Sequence, residues 1–212
     1  MTSGLPHSYF DALYAESADP WELASRWYER RKYAITMALL PPRERYRHAF
    51  EPGCSIGVLT EQLSARCDHV TAVDVADAAL AHADARLRAS GSCDDITLLN
   101  RSFDTEWPAT DFDLVVISEV GYYFDAATLQ ETLAREIPRL QPCATILSAH
   151  WRHPVSDYPL SGDAVTAIVA GTPGLHRIGG YRDDDVTIEV FDTGSAQSVA
   201  ARTSVPGGQA PR

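Results

Sequence analysis

The sequence predicts an α/β protein built on a doubly wound, mostly parallel sheet. A short strand, a glycine turn and an amphipathic helix follow one another over residues 47–63. A second strand ends in an acid over residues 69–74, and residues 112–118 are apolar along their length, as in a central strand buried on both faces. Helical patterns separate these strands, which is the order that favours parallel pairing.

The glycine turn is the first candidate ligand site. Gly53 and Gly57 are expected to let the backbone approach a ligand closely, and the helix that follows directs its free N–H groups and positive dipole end into the same space. This arrangement predicts a ligand with an anionic or hydroxyl-rich end.

Two acids refine that prediction. Asp74 follows the glycine turn by about 20 residues, the spacing at which a doubly wound fold binds ribose hydroxyls. Glu51 precedes the glycines, where a carboxylate would repel a pyrophosphate but would accept hydrogen bonds from an ammonium group. The alternative interpretation of Glu51 is a capping or helix-dipole carboxylate.

These motifs resemble a known class of enzymes. Residues 51–57, followed by Val73 and Asp74, resemble the first two motifs of class I S-adenosylmethionine-dependent methyltransferases. A narrower resemblance, to the nodulation protein S group of N-methyltransferases, extends over roughly residues 9 to 191 and is carried by three segments: 18–21, 27–33 and 150–152. It implies a Rossmann-like sheet with an antiparallel C-terminal hairpin, two N-terminal helices as a lid, and S-adenosyl-L-methionine as cofactor.

Composition narrows the possible partners. The 212 residues are 45% hydrophobic and 22% charged, with 18 basic and 29 acidic side chains and a net charge of −11. That balance disfavours nucleic acid and anionic membranes as partners. The cysteines, at positions 54, 67, 93 and 143, have no zinc spacing, so we expect reduced thiols and no metal. No signal peptide or membrane-spanning run is visible, and we expect a cytoplasmic protein.

Two helices are predicted before the first strand. Apolar spacing predicts one over residues 8–18, and Asp19, as N-cap, begins a second that extends to about Leu40 before Pro41 and Pro42. As a lid they would place aromatic and cationic side chains over the cofactor or substrate: Trp21, Trp27, Tyr28 and Arg31. Core packing is the alternative for Trp27 and Tyr28.

The middle of the chain supplies two further groups. A helix over residues 77–89, closed by Gly91, leads to a strand at 96–100. By resemblance, Ser102 and Phe103 in the next loop read the adenine; the alternative is a solvated loop with Phe103 in the core. The central strand, 112–118, presents Ser118, Glu119, Tyr122 and Tyr123 at its carboxyl end, where the resemblance implies that an acid and aromatic side chains hold an amine.

The remaining elements complete the sheet. Asp125 caps a helix over 126–140, and a strand at 144–149 ends in His150, which is either a general base or a structural residue. A helix over 163–171 and a hairpin formed by 175–181 and 186–191 follow. We expect one domain over 1–192, with a lid at 8–42 and a core at 47–192, and a disordered tail at 193–212.

These observations predict N-methylation of a free amine, and by resemblance the amino group of a deacetylated amino sugar or chitooligosaccharide. The expected catalytic residues are Glu119, His150, Tyr122 and Tyr123. The expected cofactor-binding residues are Trp21, Arg31, Glu51, Gly53, Cys54, Gly57, Asp74, Val75, Ser102, Phe103 and Ser118. The alternatives are a small-molecule O-methyltransferase, a non-catalytic cofactor-binding module, and a nicotinamide oxidoreductase, which Glu51 and the closing hairpin disfavour.

Overall fold

A seven-stranded sheet of order β3-β2-β1-β4-β5-β7-β6 organises the chain. The computed structural model describes residues 4–109 and 111–208. Its strands are β1 (Tyr46–Pro52), β2 (Cys67–Asp74), β3 (Ile96–Asn100), β4 (Leu114–Ser118), β5 (Thr145–Trp151), β6 (His176–Arg182) and β7 (Val186–Asp192). Its α-helices are α1 (His7–Glu16), α2 (Trp27–Leu39), α3 (Val58–Ser64), α4 (Asp77–Ser90), α5 (Ala126–Glu136), α6 (Gly162–Ala170) and α7 (Val199–Arg202).

The pairing confirms the predicted fold class. Strands β1 to β5 pair in parallel, and β7 runs antiparallel to both β5 and β6. Strand β4 is the fourth of the seven, as its apolar sequence predicts. The chain order reverses between β1 and β4, and a doubly wound sheet binds ligands at the carboxyl ends of its strands beside this switch point.

Both faces of the sheet are covered. Alternate residues of β4 belong to different clusters of buried side chains: Leu114 and Val116 pack with α2 and α3, whereas Val115 and Ile117 pack with α5 and α6. This two-sided burial explains why the strand is apolar along its whole length. Within the described part of the chain, no helix has both the length and the hydropathy required to cross a membrane.

Local signals predicted the end of α4 and the start of α5 correctly, whereas α5 ends at Glu136 and not at the predicted residue 140. Gly91 closes α4 in the left-handed conformation, with φ of 75°, and the carboxylate of Asp125 accepts a hydrogen bond from the Thr128 N–H at the start of α5. The predicted start of the second helix was wrong. Asp19 accepts hydrogen bonds from two backbone N–H groups of a turn, but Glu22 is left-handed (φ 56°), so α2 begins only at Trp27.

The C-terminal segment has local structure where disorder was expected. Helix α7 lies within the predicted tail, and Arg202 in it forms an ion pair of 2.7 Å with Asp192 at the buried end of β7. The predicted tail covers residues 193–212, and residues 209–212 of it lie outside the described residues. Residues 1–3 of the predicted domain also lie outside them. The domain boundaries stay a prediction.

Candidate active site

A cavity of about 800 Å³ opens at the carboxyl edge of the sheet, beside the switch point. The turn after β1, the ends of β2 and β4, and the N-terminal segment enclose it. The structure brings twelve of the fifteen predicted site residues to its wall: Trp21, Glu51, Gly53, Cys54, Asp74, Val75, Ser102, Phe103, Ser118, Glu119, Tyr122 and Tyr123. The other three, Arg31, Gly57 and His150, are held elsewhere.

The backbone of the glycine turn is tightly held against the end of β2. The N–H groups of Gly53 and Cys54 both donate to the carbonyl oxygen of Val73, at 2.7 and 2.9 Å. Gly53 has φ of 70°, and a Cβ on it would lie 3.0 Å from Val120. Only glycine fits there without displacing a neighbour, and its lack of a side chain leaves backbone exposed to a ligand in the cavity.

Gly57 has a different role from the one predicted. It is also left-handed, with φ of 76°, but it does not line the cavity. A Cβ there would lie 3.1 Å from the Cβ and 3.2 Å from the Cα of Ala83 on α4. The glycine therefore allows the start of α3 to pack against α4, and it contributes nothing to the cavity wall.

Asp74 is a buried carboxylate at the end of β2. One oxygen accepts from the N–H of Ser55 at 2.9 Å, and the other accepts from the N–H of Ala76 at 3.0 Å. Burial raises the pKa of Asp74, and these backbone N–H groups oppose that rise. Each carboxylate oxygen has a second lone pair, so the side chain can still accept hydrogen bonds from a pair of hydroxyls in the cavity.

Glu51 lies almost fully buried at the end of β1. One of its oxygens accepts a hydrogen bond from the Thr60 hydroxyl at 2.6 Å. Burial raises the pKa of Glu51 to about 8, opposed by this hydrogen bond and reinforced by the charge of Asp74. A buried carboxylate of this kind is stabilised by a cation that enters the cavity. An ammonium group would fit beside Glu51, and ribose hydroxyls would fit beside Asp74. The described residues therefore suit S-adenosylmethionine.

The N-terminal segment covers the cavity. The N–H of Leu5 donates to the carbonyl of Tyr123 at 2.9 Å, and the ring of Phe10 packs edge-on against Tyr123, with centroids 4.9 Å apart. Farther along, the Tyr14 hydroxyl hydrogen-bonds the Ser55 hydroxyl, and the Tyr14 ring contacts Trp21. Tyr14 was not among the predicted site residues, because its apolar spacing indicated only a helix face.

The loop after β3 contributes one apolar and several polar groups. Phe103 is buried against Trp107 and Phe124, with ring centroids 5.7 Å away in each case, and still lines the cavity. Phe103 therefore belongs to the core and also lines the cavity. Ser102 hydrogen-bonds the Asp104 side chain, which also lines the cavity and was missed from the sequence.

Glu119 follows the central strand in a left-handed conformation, with φ of 56°. One carboxylate oxygen accepts from the Lys32 ammonium at 2.7 Å. The other accepts from the Tyr122 hydroxyl at 2.6 Å and from the N–H of Trp151 at 2.9 Å. Burial acts to raise the pKa of Glu119, but the charge of Lys32 and these hydrogen bonds lower it overall. The side chain is therefore ionised at neutral pH, and about a fifth of its surface is open to the cavity.

Lys32 is the most unexpected residue of the site. It lies on α2 with a side chain only 2% exposed, between Glu119 and Glu29, and its ammonium is 2.7 Å from a carboxylate oxygen of each. In the sequence it is one of four charged residues at positions 29–32, which are typical of a solvated helix face. Nothing in the sequence pattern identifies Lys32 or Glu29 as a residue of the site.

Aromatic rings form the wall beside Glu119. Tyr122 stacks on Tyr158, with centroids 4.8 Å apart and planes at 22°, and Tyr123 contacts both rings edge-on. Tyr158 comes from the loop after β5 and was not predicted. The faces of such rings attract cations.

His150 does not have the geometry of the general base that the sequence suggested. Its side chain is fully buried away from the cavity. Nε2 accepts the N–H of Gly121 at 3.2 Å, so Nδ1 carries the proton and donates to the Ser148 hydroxyl at 3.1 Å. Burial lowers the pKa of His150 to about 4. The neutral ring holds the turn after β4 in place, which agrees with the structural role that the sequence offered as the alternative to a general base.

Arg31 and Trp27 also differ from prediction. Arg31 forms an ion pair of 2.8 Å with Asp183 and contacts Tyr181, so it joins α2 to the β6–β7 hairpin instead of facing a cofactor carboxylate. Trp27 is 68% exposed and belongs to neither the core nor the cavity. Tyr28 does line the cavity, packed edge-on against Trp151 with centroids 5.1 Å apart.

Sheet order, closing hairpin and the position of the cavity define the class I S-adenosylmethionine-dependent methyltransferase fold. More narrowly, the chain belongs to the nodulation protein S (NodS) family, whose sequence profile matches residues 12–156. Both findings confirm the resemblance that the motifs indicated.

Individual relatives agree with this assignment. Nodulation protein S of Sinorhizobium fredii is 30% identical over 136 residues, covering 63% of this chain and 62% of the relative. The chain thus matches about three fifths of the length of the curated relatives. A candidate methyltransferase from Pseudomonas syringae is 36% identical, with a TM-score of 0.62 over 79% of this chain and 99% of that one. The N-methyltransferase NodS of Bradyrhizobium japonicum, in complex with S-adenosyl-L-homocysteine, is 20% identical, with a TM-score of 0.75 over 88% and 97%.

Proposed function

We propose that the chain is an S-adenosylmethionine-dependent methyltransferase that acts on a free amine. The observation that carries this proposal is the pair of buried carboxylates, Glu51 and Asp74, on either side of the Gly53 turn in one cavity. Among the residues that the structure describes, no cationic side chain forms an ion pair with Glu51, and Asp74 has lone pairs available for hydroxyls. A donor with an ammonium at one end and a ribose in its middle satisfies both requirements.

The donor-binding half of the cavity has a residue for each part of that molecule. Glu51 would bind the ammonium, Asp74 the ribose hydroxyls, and Ser102 with Phe103 the adenine. Cys54, Val75, Ser118 and Trp21 would line the remaining surface. Bound there, S-adenosylmethionine would supply an activated methyl group, whose transfer would form an N–C bond as the C–S bond breaks and leave a neutral thioether and a positive charge on nitrogen.

The acceptor half lies at Glu119, Tyr122 and Tyr123. An ionised carboxylate attracts an amine as its ammonium, and the faces of the tyrosine rings hold that ammonium in place. Only the lone-pair form of an amine attacks a methyl group, so one proton must leave first. Because Glu119 has a lowered pKa and His150 is away from the cavity, we propose that water receives this proton. Orientation by the cavity wall contributes most of the acceleration, up to roughly 7 to 11 kcal/mol in favourable cases.

For the acceptor itself we propose the amino group of a deacetylated amino sugar or chitooligosaccharide. Three observations support it: membership of the NodS family, the acidic acceptor end, and the aromatic wall. The net charge of −11 supports a cationic acceptor over nucleic acid. The four cysteines form no disulfide in the described structure, which supports a reducing compartment such as the cytoplasm.

The test has a binding part and a turnover part. Calorimetric titration with S-adenosylhomocysteine should show tight binding to the intact chain. Asp74→Ala should weaken that binding by more than tenfold, about 1.4 kcal/mol. Asp84→Ala, which removes an exposed acid on α4, is the matched control and should bind as the intact chain does.

Turnover is then measured by mass spectrometry on glucosamine oligomers and on their fully N-acetylated counterparts. Methylation of the free-amine oligomers alone would support the proposal. Methylation of both sets would indicate hydroxyl acceptors and an O-methyltransferase. Binding without turnover on any acceptor would indicate a non-catalytic module, and no binding at all would reject the donor assignment.

A further inference from the structure

The ion pair between Lys32 and Glu119 joins the lid to the predicted reaction centre. Lys32 belongs to α2, and Glu119 follows the central strand β4, 87 residues later. Glu29, one turn before Lys32 on the same helix, holds the other side of the ammonium. The three side chains form a mostly buried row of two carboxyl groups with one ammonium between them. Burial raises the pKa of Glu29, and the charge of Lys32 opposes that rise.

The row is built to keep Glu119 charged. Burial acts to lower the pKa of Lys32, but the two carboxylates raise it overall, so the ammonium persists. Charged or titratable groups reach Glu119 from three elements: Lys32, Glu29, Tyr28 and Tyr33 from α2, Tyr122 and Tyr123 from the turn after β4, and His150 from β5. Because His150 is neutral at physiological pH, the Lys32 ammonium is the cation that offsets the burial of the carboxylate.

Amine methylation gives that charge a use. During transfer the positive charge moves from sulfur to the acceptor nitrogen. A fixed anion beside the nitrogen therefore stabilises the transition state more than it stabilises the neutral amine. A protonated Glu119 would lack this effect. A mobile Glu119 would have to be oriented at the moment of reaction.

We propose that Lys32 is a positioning residue for methyl transfer, which holds the Glu119 carboxylate ionised and in one orientation towards the acceptor nitrogen. This inference rests on the proposed methyltransferase function and goes beyond it. Lys32 itself does not react with the donor or the acceptor. Its ammonium contacts a carboxylate oxygen of both Glu29 and Glu119, and its side chain is only 2% exposed.

The test compares Lys32→Gln, which keeps a hydrogen-bond donor without the charge, with Lys32→Arg, which keeps the charge. We measure kcat and KM for glucosamine oligomers from pH 5 to 9, together with the S-adenosylhomocysteine affinity. Lys32→Gln should lower kcat at least tenfold, and it should move the acid limb of the pH profile upward by one pH unit or more. Lys32→Arg should recover most of the rate and the original acid limb.

Two controls separate positioning from folding. Arg30→Gln removes an exposed cation from the same helix and should leave both kinetics and binding unchanged. S-adenosylhomocysteine should bind Lys32→Gln within about twofold of the intact chain, which shows that the donor site is folded. If Lys32→Gln does not fold, Glu29→Gln provides the second variant: it weakens the hold on the ammonium and should lower kcat with unchanged donor affinity.

The outcomes are distinguishable. Wild-type kinetics in Lys32→Gln would overturn the inference and leave the proposed function intact. Equal losses in Lys32→Gln and Lys32→Arg with an unmoved acid limb would also overturn it, because that result indicates packing. Absence of turnover by the intact chain would reject the proposed function, and the inference with it.

Discussion

Glu51 gives the sharpest quantitative prediction. In the free protein its pKa is about 8, so at pH 7 roughly nine tenths of the molecules carry a proton on this carboxyl. An ammonium bound against Glu51 favours the charged form and lowers that pKa. Binding of S-adenosylhomocysteine at pH 7 should therefore release about 0.9 proton from this site.

The same linkage fixes the pH dependence of affinity. A proton on Glu51 competes with the ligand, so affinity should rise with pH, by about ninefold between pH 6 and pH 7 if the bound carboxyl stays ionised. In the free protein the raised pKa acts on stability as well. The stabilising contribution of this carboxyl is present below about pH 4.5 and is lost as the pH rises to about 8, a difference of roughly 5 kcal/mol at 1.4 kcal/mol per tenfold.

Calorimetry in buffers of different ionisation enthalpy measures the proton release directly. Glu51→Gln should abolish the release, flatten the pH dependence of affinity and make the unliganded protein more stable than the intact chain at pH 9. Glu61→Gln, an acid on α3 outside the cavity, should retain all the behaviour of the intact chain. Equal proton release by Glu51→Gln and the intact chain would refute the assignment of an ammonium site at Glu51.

Two further predictions concern positions that the sequence misread. Gly57→Ala should destabilise the fold by about 2 to 4 kcal/mol, because it places a methyl group against Ala83 and also strains a left-handed backbone. Gly91→Ala should cost only about 1 to 2 kcal/mol, because Gly91 is left-handed, with φ of 75°, but has open space around it. Denaturant unfolding measures both, and equal losses would contradict the packing role. His150 has a pKa lowered to about 4 from its usual 6.5, so folding stability should fall as the pH drops through that window, by up to about 3 kcal/mol, and His150→Asn should lack this loss. A kinetic inflection near pH 6.5 that disappears in His150→Asn would instead restore the general-base interpretation.

The strands and the turn were predictable because their signals are local. The third strand was predicted at its observed bounds, and the carboxyl end of β4 was correct, since apolar runs and flanking turn residues act within a few positions. The start of α2 was not predictable in the same way. Asp19 is a good N-cap, but the left-handed Glu22 ends the turn that it opens, and α2 begins only at Trp27.

Glycines show the same division. Both Gly53 and Gly57 have positive φ, as the turn motif indicates, yet one faces the cavity and the other packs against α4. A motif specifies backbone conformation, because that is a property of the residue itself. What the missing side chain makes room for depends on which distant element lies opposite.

The sequence by itself determined the fold class, the glycine turn, the acids at the ends of β1 and β2, and the family. Only the tertiary structure decided that His150 and Arg31 lie away from the cavity, that Tyr14 reaches Ser55 across 41 residues, and that Lys32 meets Glu119 across 87. The physical reason is that periodicity and turn chemistry act between neighbours in the chain. A charged residue on a helix has the same sequence signature whether it is solvated or buried against a partner from a distant strand.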